Sequence, residues 1–168
     1  GQEISDSHFN KRDFELFAAR LREETELLEA WFKDGVFSES ANKGGFELEA
    51  WLVDAQAKPA SINQRYLERL DNPLVVPELA TFNVELNSTP LRLEADALSR
   101  MAEELGSTWM NCSRVAEELG ARMAMIGILP TVGVEQLDLA HMSSLQRYRA
   151  LNEQVLRLRA GRPLELSI

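Results

Sequence analysis

The sequence predicts an α+β fold, a mainly antiparallel sheet with helices packed on one face. Two segments, Gly45–Asp54 and Pro77–Asn87, carry the period-2 alternation of half-buried strands. Segments with apolar residues at helical spacing separate and flank them. Strict strand–helix–strand repeats are few, which favours an α+β layer over a parallel sheet. At 168 residues, 45% of them hydrophobic, the chain is one domain or most of one, able to bury a sizeable core.

From about Asn10 to Lys33, Phe14, Phe17, Leu21, Leu28 and Trp31 or Phe32 recur on one helix face, and Asp34-Gly35 stops the helix. The loop Ser38–Gly45 ends in Gly44-Gly45, which suits a close approach or a turn. The first alternating strand then runs to a turn at Asp54–Pro59. Ser61–Leu70 reads as a short helix capped by Ser61 and broken by Asp71-Asn72-Pro73. Leu74-Val75-Val76 leads into the second alternating strand, which ends at Thr89-Pro90.

Glu94–Leu119 is helical, with Leu98, Met101, Ala102, Leu105, Trp109, Cys112, Val115, Ala116 and Leu119 on one stripe. Gly106 offers a place to kink and Gly120 a stop. Met123–Leu129 reads as a central strand buried on both faces, its methionines as packing. Thr131–Leu139 is a loop with Glu135 and Asp138 solvated. A helix starts at Ser143 or Ser144 and runs to about Ala160, and Arg162–Ile168 opens a further strand.

Successive strand side chains point to opposite faces. In the first strand Phe46, Leu48, Ala50 and Leu52 suit a core, while Glu47, Glu49 and Trp51 share the other face. Two carboxylates at i and i+2 on one face lie ~7 Å apart at Cα. They repel unless a cation neutralises them, and a hard divalent ion with a taste for oxygen would do so. A solvated face that happens to carry two Glu explains the same pattern. The second strand repeats it, with Phe82, Val84 and Leu86 on one face and Asn83, Glu85 and Asn87 on the other. One wet face of an antiparallel sheet would bring Glu47, Glu49 and Glu85 together. Glu78 lies seven residues before Glu85. In one regular strand it would face the core more than ~20 Å away, so it joins the others only if the chain bends. Pro77 and Ala80-Thr81 offer a place for a bulge or turn. On pattern alone Glu78 is a surface residue.

Composition removes several classes of function. The formal charge is −9, from 18 basic and 27 acidic residues. That argues against nucleic-acid binding, which needs a basic footprint, and against an anionic membrane surface. The single cysteine, Cys112, reads as a small core residue, and the lack of a cysteine framework fits a reducing, cytoplasmic setting. No apolar run is long enough to span a bilayer, and the N-terminus does not read as a signal peptide. No zinc or serine-hydrolase arrangement occurs around His8 and His141, the two histidines. His141 reads as a loop residue that could face the site.

The ordered set Gly45-Phe46-Glu47-Leu48-Glu49, Glu78 and Glu85, Asn87, and Thr89-Pro90 resembles the glutamate–cysteine ligases. These belong to a wider carboxylate–amine ligase group with a glutamine-synthetase-like catalytic fold. The match continues through Met125–Pro130 and Met142-Ser143-Ser144-Leu145-Gln146-Arg147-Tyr148, and covers about Phe46 to Leu156. The resemblance implies formation of a γ-glutamyl amide from glutamate and cysteine, the first step of glutathione synthesis. ATP, the co-substrate, phosphorylates the γ-carboxylate, and the amine attacks the acyl phosphate. It implies Mg²⁺ or Mn²⁺ held by Glu47, Glu49, Glu78 and Glu85, with a bend between the last two. It implies more weakly that Arg147 and Tyr148, with Asn87, hold the substrate. From residue type alone Arg147 reads as a solvated helix residue, though a guanidinium suits a carboxylate.

Family members are considerably longer, so residues 1–168 resemble the N-terminal part of a ligase, an incomplete catalytic domain expected to be inactive alone. A non-catalytic nucleotide- or amino-acid-binding or regulatory domain of the same fold is the alternative, and an acidic scaffold without ligand a third. The acceptor, cysteine or another amine, and any homo-oligomeric state stay open.

Overall fold

The computed structural model describes residues 2–162. Its elements are α1 (Lys11–Asp34), β1 (Lys43–Gly44), β2 (Glu47–Val53), α2 (Asn63–Leu70), β3 (Val75–Pro77), β4 (Asn83–Asn87), β5 (Leu91–Arg92), α3 (Ala97–Glu118), β6 (Arg122–Ala124) and α4 (Gln146–Leu158). Short 3₁₀ turns occupy Val134–Gln136 and Leu139–His141. The strand expected from Pro163 onward lies outside the described residues. The chain divides into two compact units, Gly1–Ser40 with Ser144–Ile168, and Ala41–Ser143.

In the first unit α1 begins with a capping box. The Asn10 side chain accepts from the Arg12 and Asp13 amides, and the Asp13 carboxylate accepts from the Asn10 amide. Gly35, at φ +65°, ends the helix in the left-handed conformation that glycine adopts without a Cβ clash. The helix is where the periodicity places it, but none of its residues is buried. α4 is shorter than expected at both ends, and the chain leaves it through left-handed Ala160 and Gly161.

The second unit is the α+β layer. Its sheet has the order β3-β4-β2-β6, with every neighbouring pair antiparallel. A separate two-stranded ribbon pairs β1 with β5. α2 and α3 cover one sheet face. Ala50 and Leu52 of β2, Val84 and Leu86 of β4, Tyr66 and Leu70 of α2, and Cys112, Val115 and Ala116 of α3 form the core. Cys112 is a fully buried core residue, as expected. The Tyr66 hydroxyl donates to the Cys112 carbonyl at 3.1 Å, which satisfies the buried phenol.

Several local expectations are corrected. Phe46 precedes β2 and is exposed, so the core face of that strand begins at Leu48. Ser61 makes no cap, because α2 starts at Asn63 after Ile62. α3 runs through Gly106 without interruption, and Leu98 and Ala102 lie on its exposed side. Met123–Leu129 is not a central strand. Only Arg122–Ala124 pairs, at the sheet edge against β2, and Met125, Ile126 and Ile128 are exposed. A short apolar run does not distinguish a two-sided strand from an edge strand and its exit loop.

Candidate functional site

The sheet face opposite the one packed against α2 and α3 carries the acidic residues. β2 and β4 pair with Glu47 opposite Asn87, Glu49 opposite Glu85, and Trp51 opposite Asn83. Period-2 alternation puts all six on one face, while Leu48, Ala50 and Leu52 face the helices opposite Leu86, Val84 and Met123.

Glu78 reaches this face by a hairpin. Val75, Val76 and Pro77 pair with Leu86, Glu85 and Val84, so the chain turns back between Pro77 and Asn83. The Glu78 amide donates to the Asn83 carbonyl at 3.4 Å, which continues the register by one row. Glu78 therefore sits beside Asn83 and diagonal to Glu85. The parity that sends it to the core holds for one continuous strand and fails for two strands joined by a turn.

Glu49, Glu78 and Glu85 interact. Burial pushes the Glu78 carboxyl up from its ordinary value, the Leu79 amide pulls it back, and the charges of Glu85 and Glu49 push it further up. The ion pairs among the described residues engage none of these three. Amides hold two of them. Asn83 Nδ2 donates to Glu49 Oε2 at 3.2 Å, and Asn87 Nδ2 to Glu85 Oε1 at 3.0 Å. Glu47, one row further along, is exposed and lines an open depression with Gly45, Phe46, Asn87, Ser88 and Pro90. Gly45 fits closely there, since a Cβ on it would make a tight 3.2 Å contact with Ser88 Oγ, which accepts the Phe46 amide at 2.6 Å.

At the other end of the face Trp51 stacks on Phe82 with centroids 5.9 Å apart, and His141 meets the Phe82 edge at 6.4 Å. His141 Nδ1 bonds Asp138 Oδ1 at 2.8 Å. In the other unit, Arg147 and Tyr148 are half-buried near the start of α4. The Arg147 guanidinium lies 4.9 Å from the Tyr148 ring centroid and donates to its hydroxyl at 3.1 Å.

The donor set suits a hard cation. The acidic donors are carboxylate oxygens, and Asn83 Oδ1 is a buried oxygen without a hydrogen-bond partner. The spacing is open, however. Among the described residues no three His, Cys, Asp or Glu side chains are gathered closely enough to hold one ion.

Sequence reasoning missed the polar clamp behind Glu78. Asn63 Nδ2, at the start of α2, donates to Ser143 Oγ at 2.9 Å, to the Ala80 carbonyl at 3.2 Å and to the Asn83 carbonyl at 3.4 Å. Ser143 Oγ donates to the Glu78 carbonyl. An Asn at a helix start reads as a cap, so its sequence gives no hint of this role.

No helix among the described residues is long and apolar enough to cross a membrane. Neither the search of curated proteins nor that of solved structures found a match. The profile of glutamate-cysteine ligase family 2 (GCS2) matches residues 44–162, from the ribbon before the first acidic strand to the end of the described chain. With well over half of its residues inside that match, the chain belongs to glutamate-cysteine ligase family 2.

Proposed function

We propose that this chain is the acidic-sheet portion of an ATP- and Mg²⁺- or Mn²⁺-dependent ligase that joins glutamate to cysteine through a γ-glutamyl amide, within a glutamine-synthetase-like catalytic domain. The observation that carries the reading is the Glu49–Glu85 pair with Glu78 folded back beside it. Family membership supports the ligase class. In the reaction an oxygen of the γ-carboxylate attacks the γ-phosphorus of ATP and ADP leaves. The amine nitrogen then attacks the acyl carbon, phosphate leaves, and the nitrogen loses a proton.

Glu49, Glu78 and Glu85 would hold the cations, with Glu47 at the open end of the row. Bound divalent ions supply charge neutralisation at the transferred phosphoryl group and the acyl oxygen. Asn83 and Asn87 fix the carboxylates that they hydrogen-bond, so little reorganisation accompanies binding. Asn87 also borders the depression beside Glu47, where a substrate polar group can sit. The Arg147 guanidinium, braced by Tyr148, is a planar donor suited to the carboxylate of glutamate. A cytoplasmic setting and a role in glutathione synthesis accompany this reading.

The open carboxylate spacing favours a second reading, a nucleotide- or amino-acid-binding domain without turnover. ADP release with glutamate and cysteine, measured on this chain and on a longer form, separates the two. Release that requires both amino acids in the longer form supports the ligase. Inactivity of both forms supports the binding domain.

A further inference from the structure

We propose that Asn63 and Ser143 are positioning residues that set the carboxylate of Glu78 on the acidic face. This inference rests on the reading of Glu78 as a cation ligand. Both side chains are buried, Asn63 at 4% and Ser143 at 5% exposure, so their polar atoms need protein partners. Every bond they make converges on one turn. Ser143 Oγ takes the Glu78 carbonyl, and the Ser143 amide donates to the Leu79 carbonyl at 2.8 Å. The Asn63 side-chain amide spans the Ala80 and Asn83 carbonyls and Ser143 Oγ, and its backbone amide donates to the Thr81 carbonyl at 2.9 Å. Four carbonyls between Glu78 and Thr81, and a fifth at Asn83, are thus held by two residues distant in sequence.

The need for such a clamp follows from the charges. The turn places Glu78 near Glu85 and Glu49, which repel it when all three are ionised. A free turn would swing Glu78 away into solvent. Bonds to its own carbonyl and to those of the next three residues oppose that motion. Neither clamp residue is acidic, so neither adds to the repulsion.

The test is Mn²⁺ titration of the wild type, Ser143→Ala, Ser143→Thr, Glu78→Gln and the Ser143→Ala/Glu78→Gln double variant. Circular dichroism checks each fold. Ser143→Ala is expected to weaken Mn²⁺ binding about 10-fold, the usual scale for a residue that orients a ligand. Ser143→Thr, which keeps the hydroxyl, restores it. With Glu78 already Gln, Ser143→Ala adds nothing, because its effect passes through Glu78. Should Ser143→Ala fail to fold, Asn63→Ala replaces it, since it removes the clamp's side-chain donor to the three acceptors without adding a charge.

Equal weakening in both Glu78 backgrounds, or no weakening at all, overturns the inference while leaving the ligase reading standing. A wild type that binds no Mn²⁺ overturns the ligase reading and the inference with it.

Discussion

Glu49 and Glu85 stand directly opposite each other across the β2–β4 ladder, on the sheet face that no core helix covers. Two like charges in that register destabilise a sheet. Each carboxylate of the pair is held by an asparagine amide, and the proposed cation site rests on this arrangement.

Removing one charge of the pair therefore trades binding for stability. Glu85→Gln keeps an oxygen for the Asn87 amide and relieves the repulsion. It is expected to raise metal-free stability by about 0.2–1 kcal/mol, the scale of a cross-strand pair. Urea unfolding in chelator reads this gain, which should shrink or reverse in excess Mg²⁺ because the wild type, with all its ligands, is then stabilised more by bound cation.

Glu78 gives a pH signature of defined sign. Its folded carboxyl titrates above its ordinary value of 4.5, for burial first and then for the Glu85 and Glu49 charges. The folded state binds more protons than the unfolded chain between those two values. The Glu78 contribution is full below the unfolded value and is lost as pH rises through the folded one. Glu78→Gln should flatten the fall in stability across that window in unfolding curves taken in chelator. A variant with the same slope as wild type would remove Glu78 from the coupled set.

The core can be weakened without touching the acidic face. Tyr66→Phe deletes the hydroxyl that donates to the Cys112 carbonyl and keeps the ring between α2 and α3. Loss of that bond is expected to cost about 0.5–1.5 kcal/mol in urea unfolding. Mn²⁺ affinity should stay at the wild-type value, which separates general destabilisation from damage to the site.

The sequence shows faces better than it shows partners. Alternation in Glu47–Leu52 and Val84–Asn87 separates the helix-covered side from the acidic side, because a period of two is a local property of the backbone. But Val53 and Asn83 are buried on the acidic side, and Phe82, read as a core-face residue, stacks on Trp51. Alternation cannot say where a strand stops. The run Pro77–Asn87 reads as one strand and is a turn plus β4, so Glu78 looks misplaced until β3 folds back along β4. Met125, Ile126 and Ile128 read as buried because hydrophobicity carries no record of which strand ends up at the edge. The Asn63–Ser143 clamp joins positions far apart in sequence, and only the folded chain displays it.

The most direct test is calorimetric titration of Mn²⁺ into the wild type and into Glu49→Ala/Glu85→Ala, with thermal unfolding to confirm that both are folded. Saturable binding by the wild type is expected, with a loss in the double variant larger than the roughly 10–100-fold that changes to outer-shell residues bring. Equal, weak binding by both proteins would contradict the proposed cation site.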